Sequence, residues 1–210
     1  MTLTYKQKQQ IGREVRKLNS GIVENQTCKK FGLKQIGGSG TKVDGISLKD
    51  NSEWSIKNAS GNSTQVHLTT QNGFIKQFCL NGGEASFVKK FFGNQKFTNK
   101  KRNRYGLSEI SRSEFLQFKT FLEQNKLSVI RYFISGKNNI EYVVFNDMVR
   151  STEDILNDVC FCEWQFNETT IHLKNSSGKT LFHIQMKGSG KKPSPYHGVL
   201  CHIHKNVFTG

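Results

Sequence analysis

The sequence predicts an α/β or α+β fold: a central mixed β-sheet flanked by helices, with an additional strand-rich portion toward the C-terminus. Three observations predict it. Segments with period-two alternation fall at 42–70 and again across 141–204, while segments with apolar residues at helical spacing lie before and between them. The chain of 210 residues is long enough for one sizeable core. It shows no internal repeat and no clear domain break, so a single domain over 1–210 is expected.

The elements follow in order. Residues 4–18 read as an amphipathic helix, with Ile11, Val15 and Leu18 at helical spacing and Lys or Arg opposite. A second short helix is expected at 23–31. Gly37-Gly38-Ser39-Gly40 is an approach segment; no Gly-Lys-Ser/Thr follows it, so it is not a phosphate loop. Residues 42–48 and 53–58 form the arms of a β-hairpin whose turn falls at 49–52. Alternation on the second arm points Glu53, Ser55 and Lys57 to one face and Trp54 and Ile56 to the other. A polar turn leads to a third strand at 64–70. Helices are expected at 74–80, 84–92, 111–124 and 127–135. Ser111 and Glu114 have capping-box spacing, and Phe115, Phe118 and Leu122 form a buried stripe.

The basic stretch 93–106 reads as a loop between helices, with Phe91 and Phe92 assigned to the core rather than to base stacking. The last third is mostly strand, at 141–146, 160–166, 170–174, 180–187 and 198–204. A short helix at 152–159 is capped by Ser151. A hairpin turn falls at 175–178, and a longer basic loop at 188–196.

Composition bears on function. Thirty-one Lys plus Arg against 16 Asp plus Glu give a net charge of +15, which favours a polyanionic partner. Lys89, Lys90, Lys96, Lys100, Lys101, Arg102 and Arg104 form a run without an acid, and no acid follows Glu168. By contrast, 141–168 holds seven acids and only Arg150, so a charged binding face opposed to a solvated face is expected. Sixteen Phe supply large buried surfaces. No stretch approaches the ~20 apolar residues of a membrane span. Five cysteines and an N-terminus without an apolar signal core predict reduced thiols and a cytoplasmic protein.

The hairpin carries the chemistry. It places the carboxylate of Asp44 beside a strand bearing a hydroxyl, Ser55, and an ammonium, Lys57, on one side of a sheet whose back is apolar. Such a set can hold a divalent metal and orient a water for attack on a phosphodiester. Val43-Asp44 followed by Ser55-Ile56-Lys57 resembles the signature of the PD-(D/E)xK nucleases, the superfamily that contains most type II restriction endonucleases. Val43 replaces the usual Pro, and Ser55 stands where the second acid is expected.

The resemblance implies a restriction-endonuclease-like fold and Mg²⁺-dependent, sequence-specific hydrolysis of double-stranded DNA, with Mn²⁺ as the alternative ion. It implies Asp44 as metal ligand, the Ile56 carbonyl and a polar side chain from Ser55 or Glu53 completing the coordination, and Lys57 beside the attacking water. Glu53 on the same face and Glu14 on the first helix are the candidates for the missing acid. Residues 1–140 would then be a catalytic core with a basic loop at 89–104, and 141–210 a strand-rich DNA-contacting part. A homodimer would suit a palindromic site.

Other sites compete. Gln185-x-Lys187 imitates acid-x-Lys, with Glu168 upstream as the Asp equivalent, although a DNA-reading role suits Gln and Lys better. The expected DNA contacts are Lys42, Lys100, Lys101, Arg102, Arg104, Gln185, Lys187, Lys191 and Lys192. Cys160, Cys162, His172, His183, His197, Cys201, His202 and His204 suggest a structural Zn²⁺, which the absence of the usual ligand spacings disfavours. A non-enzymatic nucleic-acid-binding protein and a structure-specific repair or recombination nuclease are the alternative functions.

Overall fold

A computed structural model describes residues 4–36, 42–93, 95–98, 101–104, 106–187 and 198–209. The chain divides into two compact units: Met1–Ser60 with Lys137–Thr152, and Gly61–Gly136 with Glu153–Gly210. Both are mixtures of helix and sheet, and the predicted α/β class, with a mixed sheet and a strand-rich C-terminal part, is the architecture observed.

The first unit contains α1 (Tyr5–Lys30), β1 (Leu33–Gln35), β2 (Gly45–Ser47), β3 (Glu53–Lys57), β7 (Ile140–Phe145) and β8 (Met148–Ser151). Its sheet runs in the order β1-β2-β3-β7-β8 and is antiparallel except for the β3–β7 pair, which is parallel. The two helices predicted at 4–18 and 23–31 are one helix. Gly21 between them costs roughly 1 kcal/mol in a helix interior, too little to stop propagation without a proline. Thr4 opens it with a capping box to Gln7, and Gly32, at φ +64°, ends it in the left-handed conformation that glycine adopts without penalty. Cys28 and Leu33 then pack on Ile56 and Val144, with Phe31, Trp54 and Val149 around them. This is the apolar back of the sheet that alternation in β3 requires.

The second unit contains β4 (Ser63–Thr70), α2 (Gln71–Gln77), α3 (Gly82–Phe91), β5 (Gln95–Thr98), β6 (Lys101–Arg104), a 3₁₀ turn (Gly106–Glu109), α4 (Arg112–Gln124) and α5 (Lys126–Ser135). It continues with α6 (Thr152–Cys160, from its second residue on), β9 (Glu163–Phe166), β10 (Thr170–Lys174), β11 (Thr180–Lys187), β12 (Gly198–His204) and α7 (Asn206–Thr209). Its antiparallel sheet has the order β4-β12-β11-β10-β9. Ile171, Leu173, Phe182, Ile184 and Ile203 line its buried face. Trp164 Nε1 donates to the Leu122 carbonyl of α4 at 3.1 Å, tying helix to sheet. A chain of aromatic contacts fills this unit, including Phe87 stacked on Phe118 at 4.3 Å. Phe91 and Phe92 are buried in it, as expected of core residues.

The strand expected at 64–70 is present and pairs with β12, Thr70 opposite Gly198 and Ser63 opposite His204. Alternation specifies a strand's faces and says nothing about its partner. The basic stretch expected as a loop forms a two-stranded ribbon, with Gln95 opposite Arg104 and Thr98 opposite Lys101.

Candidate active site

Asp44 stands at the mouth of the hairpin, immediately before β2. Its backbone is held from both sides: the Asp44 N–H donates to the Trp54 carbonyl at 2.9 Å, and its carbonyl accepts from the Ile36 N–H at 3.2 Å. Gly45 makes the second contact possible. A Cβ there would lie 3.2 Å from Leu33 and 3.3 Å from the Cys28 sulfur, so glycine lets β1 and the end of α1 close over the strand. The hairpin turn uses Asn51 at φ +63°, a conformation asparagine tolerates better than most residues, and Ser52 is fastened to Asp50 through both its N–H and its hydroxyl. A hydrogen bond from Ser47, then those from Ser52, hold the Asp50 carboxyl down at about 2.

One carboxylate oxygen collects the site. Asp44 Oδ2 accepts from the Ile56 N–H at 2.7 Å, the Ser55 hydroxyl at 3.1 Å and the Lys57 ammonium at 3.1 Å. Lys57 Nζ also donates to the Ile56 carbonyl at 3.3 Å. The Asp44 and Lys57 side chains are 17% and 18% exposed, so the pair is recessed but open to small solutes. Ser55 is buried at 1% exposure. On the parallel neighbour, Val143 lies beside Ser55 and Phe145 beside Lys57, giving the polar trio a dry flank. At its back, burial and then the negative charge of Asp44 push the Cys28 thiol above its usual range.

The sequence-predicted residues sort as follows. Asp44, Ser55 and Lys57 come together. Glu53 does not join them: its carboxylate accepts from the Asn139 N–H at 3.0 Å, closing the entry to β7. Glu14 is exposed on α1 and accepts from Gln10 at 3.2 Å. Lys42 is half-buried two residues before Asp44. Two charged residues were not singled out for the site from the sequence. Glu141 shares the Val143 face by alternation and is exposed, and Arg150 stands opposite Val143 on β8. Neither was findable locally, because both reach that face through the pairing of β3 with β7, more than eighty residues later in the chain.

The metal expectation can be tested on donor chemistry. Among the described residues, no group of three or more His, Cys, Asp or Glu is arranged to hold a metal ion. What the hairpin offers is oxygen only: Asp44 Oδ1, which takes none of the three hydrogen bonds, and the Ile56 carbonyl. That fits a hard divalent cation that keeps most of its waters and takes the rest of its ligands from substrate. It does not fit zinc.

In the second unit, Gln185 and Lys187 lie on β11, opposite Leu200 and Gly198 of β12. Lys187 Nζ donates to Gln65 at 3.2 Å, Gln185 stands 3.4 Å from His202, and Gln185 pairs with Thr170 on β10. Glu168 is exposed in the β9–β10 turn, where its carbonyl accepts from the Leu107 N–H, and its carboxylate joins neither residue. Four histidines cluster on the same sheet face: His183 stacks on His202 at 4.5 Å and His172 at 5.6 Å and meets His204 edge to face at 4.9 Å. His183 and His204 are hydrogen-bonded ring to ring at 2.7 Å. Cys162 and Cys201 are buried and Cys160 is exposed; all are free thiols. Lys101, Arg102 and Arg104 lie on β6, whose side chains are outside the described residues, as are Lys100, Lys191, Lys192 and His197. No described helix is long and apolar enough to cross a membrane.

No protein-family model and no curated protein matches the chain. Among solved structures, the crystal structure of the restriction endonuclease MspI in complex with its cognate DNA aligns with a TM-score of 0.47 and 10% identity, over 80% of this chain. The alignment spans 66% of that protein's length.

Proposed function

We propose that the chain is a divalent-metal-dependent endonuclease acting on double-stranded DNA in the manner of a type II restriction enzyme. The observation that carries this reading is the convergence of Ser55, Ile56 and Lys57 on one oxygen of Asp44, which leaves the other oxygen outside those three hydrogen bonds. A structural ion pair needs none of the additional donors. Phosphodiester attack needs a fixed carboxylate, a nearby cationic group and a dry wall, and Asp44, Lys57 and the apolar Val143 and Phe145 support that reading.

In this reading Asp44 Oδ1 and the Ile56 carbonyl would hold the cation. When bound, Mg²⁺ or Mn²⁺ would supply Lewis-acid polarisation of the scissile phosphate and a more acidic water. Lys57 would orient the attacking water and offset charge developing on the phosphoryl oxygens. Ser55 and the Ile56 N–H keep Asp44 in one rotamer, so that its free oxygen stays aimed. Gln185 and Lys187 contact the duplex in the second unit, Lys187 at phosphate or guanine and Gln185 at adenine. The basic residues at 100–104 and Lys42, Lys191 and Lys192 bind phosphates.

A second reading, a nucleic-acid-binding protein without catalysis, is favoured by one observation: among the described residues, no second carboxylate bonds into the Asp44–Lys57 pair. Incubating the protein with plasmid DNA and Mg²⁺ or Mn²⁺ separates the two. Discrete fragments with uniform sequenced ends are expected. Intact plasmid under both ions, together with retained DNA binding, selects the second reading.

A further inference from the structure

The charge inventory around Asp44 has a consequence for how a cation arrives. In the position where a second acid would stand is Ser55, neutral, buried and donating its hydroxyl to Asp44. Lys57 cancels the single carboxylate at 3.1 Å. Glu53 is committed to the Asn139 backbone and Glu14 to its own helix. Glu141, exposed on the same face by alternation, takes no part in the bonds that join Asp44, Ser55, Ile56 and Lys57. The bonded pair of Asp44 and Lys57 thus presents two oxygen donors, Asp44 Oδ1 and the Ile56 carbonyl, and no net charge. A small divalent cation gives up its hydration reluctantly and is held by one or two carboxylates together with substrate phosphate. A neutral pair with an ammonium on its near side offers little to offset that loss.

We propose that the free protein has no competent divalent-metal site, and that a DNA phosphate entering beside Asp44 supplies the missing charge and recruits the cation, with Ser55 and Lys57 setting this order. The inference rests on the nuclease reading of the hairpin. A phosphodiester contributes one negative charge and two non-bridging oxygens. It also gives the Lys57 ammonium a second anion, which loosens its hold on Asp44. Each change raises cation affinity, and none is available from the protein alone. Cleavage chemistry is therefore withheld until nucleic acid is seated. Ser55 is a positioning residue here: it fixes Asp44 without adding charge.

The test is a Mn²⁺ titration of the full chain, followed by the electron paramagnetic resonance signal of the free ion, with and without plasmid DNA and with the ion bound by DNA alone subtracted. Wild-type protein alone should bind Mn²⁺ only in the millimolar range. Lys57→Met should tighten Mn²⁺ binding by the free protein about tenfold or more, since an opposing unit charge is removed within a few ångströms. With plasmid DNA, wild type should acquire a Mn²⁺ site that Asp44→Asn lacks. Ser55→Asp should tighten free-protein binding in the same direction, with its thermal unfolding followed because the position is buried. A tight Mn²⁺ site in free wild type, unchanged by Lys57→Met, would overturn the inference while leaving the nuclease reading to the plasmid assay. No DNA-dependent Mn²⁺ site in a protein that does cut plasmid would overturn it as well. An uncut plasmid with no Mn²⁺ site under any condition sinks both.

Discussion

At the scale of single residues, the hairpin shows how much of a site is local. Ser55 and Lys57 share a face because alternation in a strand has period two, and Asp44 meets them because a four-residue turn returns the chain beside itself. The missing acid was not local. Glu53 lies on the predicted face, yet a backbone N–H more than eighty residues away claims its carboxylate. Removing a group that acts in the transition state separates binding from turnover. Asp44→Ala and Lys57→Ala should therefore abolish plasmid cleavage, with affinity for duplex DNA, measured by fluorescence anisotropy, changing only a few-fold. A wild-type cutting rate in either variant would show that the chemistry lies elsewhere.

At the scale of elements, β11 and β12 carry two tests. The first concerns pH. His183 is pushed down to about 3 and His204 to about 4, by burial first and then by neighbouring histidines; His172 and His202 are lowered by burial first and then by Lys174 and Lys187. All four folded values lie below the ordinary histidine value near 6.5. The fold therefore favours the neutral rings: their contribution is intact above pH ~6.5 and is lost as protons bind between there and the depressed values. The thermal midpoint should fall between pH 7 and pH 5, before most carboxylates titrate, and His183→Gln should fall less steeply over that window. Parallel profiles for the two proteins would refute this account of the histidine cluster.

The second test concerns reading. Gln185→Ala and Lys187→Ala should each weaken DNA binding or relax sequence preference by about 1–3 kcal/mol if a base contact is lost. Cleavage lost with binding intact would instead make β11 the catalytic strand and demote Asp44.

At the scale of the whole molecule, charge is the dominant quantity. With a net charge of +15, DNA affinity should drop steeply with salt, because each neutralised phosphate releases condensed counterions and contributes about −0.9 to the slope of log K against log salt. Anisotropy titrations at several salt concentrations give that slope directly. A slope near zero would mean that the basic residues are general solubilising charge and not an interface.

What the amino-acid order determined alone were those features whose cause lies within a turn or a strand: the capping box at Ser111, the hairpin turn at 49–52, the two faces of β3, and the stripe of Phe118 and Leu122, buried, with Phe115 half-buried. Even there a margin of stability intervened, since Gly21 was too weak a breaker to divide α1. Tertiary structure decided the pairings. It sent the strand after the hairpin to β12 rather than β3, placed β7 parallel to β3, and folded the basic stretch into a ribbon. It also spent Glu53 on Asn139, leaving Asp44 as the one carboxylate bonded within the hairpin's polar trio. The physical reason is that strand hydrogen bonds are made by backbone groups common to every residue. A strand's faces are written in its side chains, while its neighbour is chosen by which distant segment can bury the same apolar surface.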